Sequence, residues 1–260
     1  MDEFIIIYDC FRDNLLVLLT IINMKNLLLF GLLVFVAFAC KKKTEDPPDV
    51  GYAYAPENIG KYIIYDVDST IYDDFFDDTT YYKYRIKEKL EEVFMDNQGR
   101  KAIKLVRYIK KYNDTVSYDN IAWTVKDVWN YTRTATTLEV VEEDIRFTKI
   151  IFPIKEDATW NGNANNTLGE WEYEYTYSDR AETINGTAFD NVLMVTQKDD
   201  ENKNAIHREY YVEKYAKDVG LVYREIKDLR ASVVISGFPV EQRITSGVIY
   251  KLTYITHGYE

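Results

Sequence analysis

The chain has 260 residues and a net charge of −11, with 43 acidic against 32 basic side chains. A field of that sign excludes binding to nucleic acid or anionic lipid by bulk electrostatics alone. Aromatic residues make up 15 % of the chain, 23 of them tyrosine, which suits half-buried strands, and the only cysteines are Cys10 and Cys40.

The first 23 residues are acidic at their front (Asp2, Glu3, Asp9, Asp13), the wrong sign for a secretory n-region. The pattern changes at Met24, where Met24–Lys43 reads MKNLLLFGLLVFVAFACKKK. Lys25 supplies a positive start, and Leu27–Ala39 runs apolar for 13 residues. That length fits a signal h-region and falls short of the roughly 20 residues a membrane-spanning helix needs. The competing reading is an uncleaved transmembrane helix over Leu15–Ala39. Thr20, Asn23, Lys25 and Asn26 interrupt that stretch near its middle, where charge is costly in a bilayer. We expect translation to begin at Met24, which makes residues 1–23 a start-site overcall.

Ala37-Phe38-Ala39-Cys40 resembles the lipobox of bacterial lipoproteins, with Ala37 where that family usually has leucine. The resemblance implies cleavage of a signal peptide over residues 24–39, diacylglyceryl attachment at the Cys40 sulfur and acylation of the new amino terminus. Several acyl chains anchor stably where one is marginal. It also implies an envelope location, and the outer membrane is the expected one. Residues 1–39 carry two basic and four acidic side chains, so the mature 221 residues keep a net charge of −9. With Cys40 acylated no disulfide remains, and a core of that size needs none.

Residues 40–58 are expected to be a tether: KKKTEDPPDV is charged and contains Pro47-Pro48, so it should be extended and solvated. From residue 59 to 260 the pattern has mostly period two. Lys61–Asp68 reads as a strand. Ile103–Tyr112 alternates, with Ile103, Leu105 and Ile109 on one side and Val106, Tyr108 and Tyr112 on the other. Trp123, Val125, Trp129 and Tyr131 share a parity, and Ile145–Phe152 reads as a central strand. Glu170–Tyr177 (EWEYEYTY) is the cleanest case, with Trp171, Tyr173, Tyr175 and Tyr177 opposite Glu170, Glu172 and Glu174. Val192–Gln197, Ile206–Tyr215, Leu221–Ile226 and Val248–Ile255 continue the series. Asn161-Gly162 and Asn185-Gly186 predict tight hairpins, and Asn97-Gln98-Gly99 a slightly longer one. Tyr82, Ile86, Leu90 and Val93 also fit helical spacing; the alternating run after Asn97–Gly99 favours strand. The expected fold class is all-β: one domain, a single antiparallel curved sheet, half-barrel or barrel.

GYAYAPENIGKYIIYDVDS (51–69) and YAKDVGLVYREIKDL (215–229) are similar to an uncharacterised group of β-rich envelope lipoproteins. That group pairs a Pro…Gly-x-Tyr/Trp…Val-Asp-Ser opening strand with a late Gly-Leu-Val-Tyr-Arg-Glu strand. The resemblance implies a curved antiparallel sheet and no assigned activity.

Candidates for chemistry are few. His207 and His257 are the only histidines, no nucleophile elbow is present, and the two are not at zinc-ligand spacing. Asp73, Asp74, Asp77 and Asp78 surround Phe75-Phe76, but not with the alternate-residue spacing of calcium loops. Asp66 with Asp68, and Glu170, Glu172 and Glu174, are spaced as glycosidase carboxylates could be, and equally as any acidic outer face. Trp160, expected at a hairpin tip, and Trp171 and Tyr173 are the candidate ligand-binding aromatics, able to stack on a sugar or a lipid headgroup; packing is the alternative. Asp68-Ser69-Thr70, Asp78-Thr79-Thr80 and Asp114-Thr115-Val116 resemble acceptor sites for periplasmic O-glycosylation. No cofactor or metal is expected. The function expected is a non-enzymatic binding or scaffolding module, attached to the membrane through acylated Cys40, whose partner is a glycan, a lipid or an envelope protein. The alternatives are a lipid or lipoprotein carrier with an apolar cup and, less favoured, a carboxylate-dependent hydrolase.

Overall fold

Period-two patterning is realised throughout as antiparallel strand. In the computed structural model, which describes residues 48–200 and 204–260, the strands are β1 (Lys61–Asp73), β2 (Asp78–Met95), β3 (Lys101–Lys111), β4 (Thr124–Arg133), β5 (Thr137–Glu142), β6 (Ile145–Ile151), β7 (Thr159–Asn161), β8 (Glu172–Ile184), β9 (Thr187–Asp199), β10 (His207–Ala216), β11 (Gly220–Arg230) and β12 (Ser246–Tyr259). They form one sheet in the order β6-β5-β4-β3-β2-β1-β12-β11-β10-β9-β8-β7. Consecutive strands therefore pair, except β6 with β7, and β12 returns to β1. The one ladder missing from a closed up-and-down barrel is that between β6 and β7, and the sheet is a nearly closed barrel.

Alternation decides which face is inside. On β8, Tyr173 and Tyr175 are buried while Glu172 and Glu174 are exposed. On β1, Ile63, Tyr65 and Val67 are buried, and the outward Asp66 accepts from Arg85 Nε at 2.9 Å. The ambiguous stretch is strand: β2 pairs along its length with β1 and β3 and buries Ile86 and Leu90, so ladder and packing override the helix-forming run Lys87–Glu92. Asn185-Gly186 makes the expected two-residue turn, both at positive φ (48° and 78°).

Three expectations need correction. First, Val125 does not share a face with Trp129. A bulge between Arg107/Tyr108 of β3 and Asp127/Val125 of β4 shifts the register, and Val125 is exposed while Trp129 is buried. Second, β6 ends the sheet order rather than lying centrally, yet its apolar run is buried because the seam covers it. Thr148 N–H donates to Gly162 O at 2.8 Å, Trp160 Nε1 donates to Thr148 O at 2.8 Å, and Tyr175 Oη accepts from Ile151 N at 2.8 Å and donates to Ile151 O at 2.6 Å. These bonds satisfy an edge that would otherwise template association. Third, Asn161-Gly162 is not a tight hairpin. Asn161 Oδ1 accepts from the backbone of both Asn163 (2.9 Å) and Trp171 (3.1 Å), anchoring a longer loop between β7 and β8. Gly162 is needed for close approach, since a Cβ there would sit 2.3 Å from Tyr173 Cζ.

The compact unit starts at Asp49, ahead of the expected boundary at residue 59. Residues 49–58 form a strap across one end of the barrel. Tyr54 and Ala55 are buried, Arg133 Nη1 donates to Tyr52 O (3.2 Å) and Ala55 O (2.9 Å), Asp218 N donates to Ala53 O (2.8 Å) and Lys217 pairs with Asp49 (2.8 Å). Gly51 sits at φ 90° with Ile154 so close that a Cβ would lie 2.3 Å from its Cγ1. Only residues 40–48 of the expected tether remain outside this unit, and the leader, the lipobox and Cys40 lie outside the described residues.

The up-and-down path gives the barrel two distinct ends. The strap, the chain terminus and the β2–β3, β4–β5, β8–β9 and β10–β11 turns share one. The β1–β2, β3–β4, β5–β6, β9–β10 and β11–β12 loops share the other, hereafter the far end.

Candidate functional site

Inward positions along the strands are not all apolar. Glu88 stands between Ile86 and Leu90 on β2, Arg107 between Leu105 and Ile109 on β3, Glu142 follows Leu138 and Val140 on β5, and Arg224 follows Val222 on β11. Asp127 of β4, Lys149 of β6 and Glu213 of β10 join them, so seven strands each contribute one charge. Lys149 Nζ lies 2.9 Å from Glu142 and 3.1 Å from Glu213; Arg224 Nη2 lies 2.8 Å from Glu142 and 2.7 Å from Glu213. Arg107 bridges Glu88 and Asp127, each at 3.0 Å, and its guanidinium stacks 3.7 Å over the Trp129 ring. Tyr65 Oη reaches Glu88 at 3.4 Å and Leu221 O at 3.0 Å, and the Tyr215 hydroxyl donates to Glu213. Arg224 Nε is buried with no partner among the described residues.

Beside this layer is a cavity of about 70 Å³. Its lining joins Leu90, Leu105, Trp129 and Leu138 with Glu88, Glu142, Lys149 and Arg224, and includes Tyr54 and Pro56 of the strap.

The electrostatics stabilise full ionisation. Burial alone would push the Glu142 and Glu213 carboxyls up, but Arg224 and Lys149 outweigh it and hold both below the ordinary carboxylate range. Burial alone would lower Lys149; Glu142 and Glu213 reverse that and raise it. Burial pushes the Tyr173 phenol up to about 12. A general acid or base works best with a pKa near the operating pH, so these shifts move the groups away from proton-transfer duty and toward fixed ion pairs.

The sequence-predicted aromatics meet at the seam. Trp160 packs 4.6 Å from Tyr175 and 5.9 Å from Tyr173, and Trp171 lies 6.5 Å from Tyr173 and 5.1 Å from Tyr211, measured between ring centroids. Tyr173 is only 2 % exposed and Trp160 spends its N–H on the seam, so they are brought together as packing rather than along an open groove. Trp171 Nε1 is buried and without a partner among the described residues. Asp66 and Asp68 are paired across the outer face with Arg85 and Lys83. His207 Nε2 lies 2.7 Å from Asp228 Oδ1, and His257 Nδ1 2.8 Å from the Tyr254 hydroxyl, far apart in register. Asp73 Oδ1 is spent on the backbone N–H groups of Phe75 and Phe76, and among the described residues no group of three or more His, Cys, Asp or Glu side chains is arranged to hold a metal.

The interior charge layer is what sequence reasoning missed. Its signal was present: charged residues at the inward parity of otherwise apolar strands, as in Ile86-Lys87-Glu88-Lys89-Leu90 and Leu105-Val106-Arg107.

No family model and no curated protein sequence matches the chain. Among solved structures it is similar to a protein described as exported, with a YmcC-like fold, from Bacteroides fragilis (11 % identity, TM-score 0.35, covering 77 % of this chain and 98 % of that one). It is similar to a protein described as a lipoprotein from Parabacteroides distasonis (10 % identity, TM-score 0.26, 78 % and 98 %). A third is described as an outer membrane lipoprotein-sorting protein domain, from Vibrio parahaemolyticus (10 % identity, TM-score 0.20, 78 % and 87 %).

Proposed function

We propose that this chain is a bacterial envelope lipoprotein, held at the outer membrane through acylated Cys40, and that its barrel is a non-enzymatic binding or scaffolding module. The lipobox-like Ala37-Phe38-Ala39-Cys40 supports the anchor. One structural observation carries the rest: the barrel is filled. A cavity of about 70 Å³ is under half the roughly 150 Å³ that admits benzene, and an acyl chain is far longer than benzene. The apolar part of the lining favours a lipid-carrier alternative, which requires the cavity to widen well beyond about 70 Å³ before an acyl chain could enter. A hydrolase reading is opposed by carboxylates that are salt-bridged and acidified.

The anchor is tested with the full-length chain and its Cys40→Ser variant in a lipoprotein-processing bacterium. The wild-type chain is expected in the membrane pellet with its signal removed, and the variant uncut and no longer acylated. A Cys40→Ser chain that is processed and retained as firmly as wild type overturns the proposal.

A further inference from the structure

Apolar surface is treated differently at the two ends of the barrel. At the strap end Tyr54 and Ala55 close over the interior. At the far end Phe75 and Phe76, on the tip of the β1–β2 hairpin, are 85 % and 73 % exposed with their rings 4.9 Å apart. Val233, Val234, Ile235 and Phe238 on the β11–β12 loop are between 47 % and 63 % exposed. The two loops are adjacent, since Tyr72 at the end of β1 pairs with Gly247 at the start of β12 and packs with Leu229, Ala231 and Val240. The loop is also fixed in shape: Arg243 Nε donates to Phe238 O at 2.9 Å, and the same guanidinium donates to Val233 O and Ala205 O. Single exposed apolar residues are ordinary; a cluster on neighbouring, ordered loops marks an interaction surface.

Two observations select the occupant. The rim carries more acid than base: Asp74, Asp77 and Asp78 on the β1–β2 hairpin, Asp114 and Asp119 on β3–β4, and Glu143 and Asp144 on β5–β6 are exposed, against Lys111, Lys126 and Arg230, while Glu241 on β11–β12 is paired with Arg208 at 3.3 Å. Such a rim is repelled by anionic headgroups and by a second copy of itself, and attracts a basic surface. The tether also leaves from the opposite end. Cys40 to Asp49 spans at most about 30 Å when extended, at ~3.3–3.6 Å per residue. The 13 residues of β1 cover about 43 Å along the strand at ~3.3 Å per residue, or roughly 33 Å along the axis at the ~40° tilt of barrel strands. Turning the far end onto the anchoring bilayer would need the tether to run the whole barrel and still reach the lipid.

We infer that the far end docks a protein, inserting Phe75, Phe76 and the Val233–Phe238 loop into an apolar cleft rimmed by lysine or arginine. This rests on the anchored-module reading above. The test uses the full-length chain in the cells that encode it, with a photoreactive phenylalanine analogue at Phe75 or Phe238. Met95, 64 % exposed at the strap end, and Val128, 53 % exposed on the wall, are the controls. The expected result is one discrete protein adduct from positions 75 and 238, absent from 95 and 128, whose cross-linked peptide maps to an apolar cleft with basic neighbours. The Phe75→Ser/Phe76→Ser pair should cut the adduct at 238 at least tenfold, and Asp74→Asn/Asp77→Asn/Asp78→Asn at least threefold, both without changing the melting curve. A lipid adduct, a homodimer, equal labelling from the controls, or no adduct overturns the inference. Fractionating the same cells reports the anchor separately: a membrane-bound chain without the end-specific adduct sinks the docking surface alone, and a soluble chain sinks both.

Discussion

Glu213→Gln should be among the most damaging isosteric changes this barrel can receive. The Glu213 side chain is 1 % exposed and touches Lys149 at 3.1 Å and Arg224 at 2.7 Å. Removing its charge leaves two buried cations sharing Glu142. Breaking a buried pair by deleting one partner costs about 3–5 kcal/mol, because the remaining charge keeps its desolvation penalty. For a domain of this size about 1 kcal/mol moves Tm by roughly 2–4 °C, so the melting point should fall by about 6–20 °C. Asp68→Asn is the internal control: its partner Lys83 is 3.5 Å away and both side chains are more than 60 % exposed (66 % and 61 %). An exposed pair is worth at most about 1 kcal/mol, a shift under roughly 4 °C. Adding Lys149→Met to Glu213→Gln should recover much of the loss, since it removes the stranded cation and leaves Arg224 with Glu142. Thermal melts followed by circular dichroism decide it. A Glu213→Gln shift no larger than that of Asp68→Asn would refute the claim that the interior layer is a set of mutually dependent charges.

Acid should act through the same layer. The folded pKa values of Glu142 (about 2) and Glu213 lie below the ordinary carboxylate value of 4.5, so the unfolded chain binds more protons and stability rises with pH through that window. Both contributions are complete above about pH 4.5 and are lost as the pH falls below it, that of Glu142 toward about pH 2; denaturant melts at stepped pH that are flat over this range would contradict it. Gly51→Ala should cost about 1–3 kcal/mol, because the residue sits at φ 90° and its new Cβ meets Ile154, and hydrogen exchange should show the strap opening first. Wild-type protection at the strap would count against this. Tyr175→Phe removes the hydroxyl that both accepts from and donates to Ile151, so the seam should lose about 1–3 kcal/mol and the Ile151 amide should exchange faster than its neighbours in β5; unchanged exchange there would show that the hydroxyl is not what closes the edge.

The sheet was legible because side-chain parity is a local property. Glu-Trp-Glu-Tyr-Glu-Tyr-Thr-Tyr can bury one stripe only as strand, and the structure buries Tyr173 and Tyr175 accordingly. What alternation could not show was a change of count within a strand. The bulge opposite Arg107/Tyr108 put Val125 on the other face from Trp129, and nothing in Thr124–Trp129 marks it. The seam was equally hidden. It depends on Gly162, whose missing Cβ admits the Tyr173 ring, so the glycine that looked like half of a hairpin turn is a packing residue. Residues 49–58 begin within the charged, Pro47-Pro48-containing KKKTEDPPDV run that reads as tether; their burial comes from Tyr52, Tyr54 and the backbone carbonyls that Arg133 collects from the far side of the sequence. The charge layer is written plainly, at inward parity, but parity in one strand does not show which charges of other strands stand opposite to pair it.

The anchored, filled barrel is tested most directly by native mass spectrometry of the full-length chain extracted from membranes in mild detergent. The predicted spectrum is one covalent species, residues 40–260 plus the acyl groups on Cys40, with no further lipid bound. A chain that begins before Cys40, or one that carries a lipid released on collisional activation, would contradict the reading of an acylated terminus below a barrel with no room for cargo.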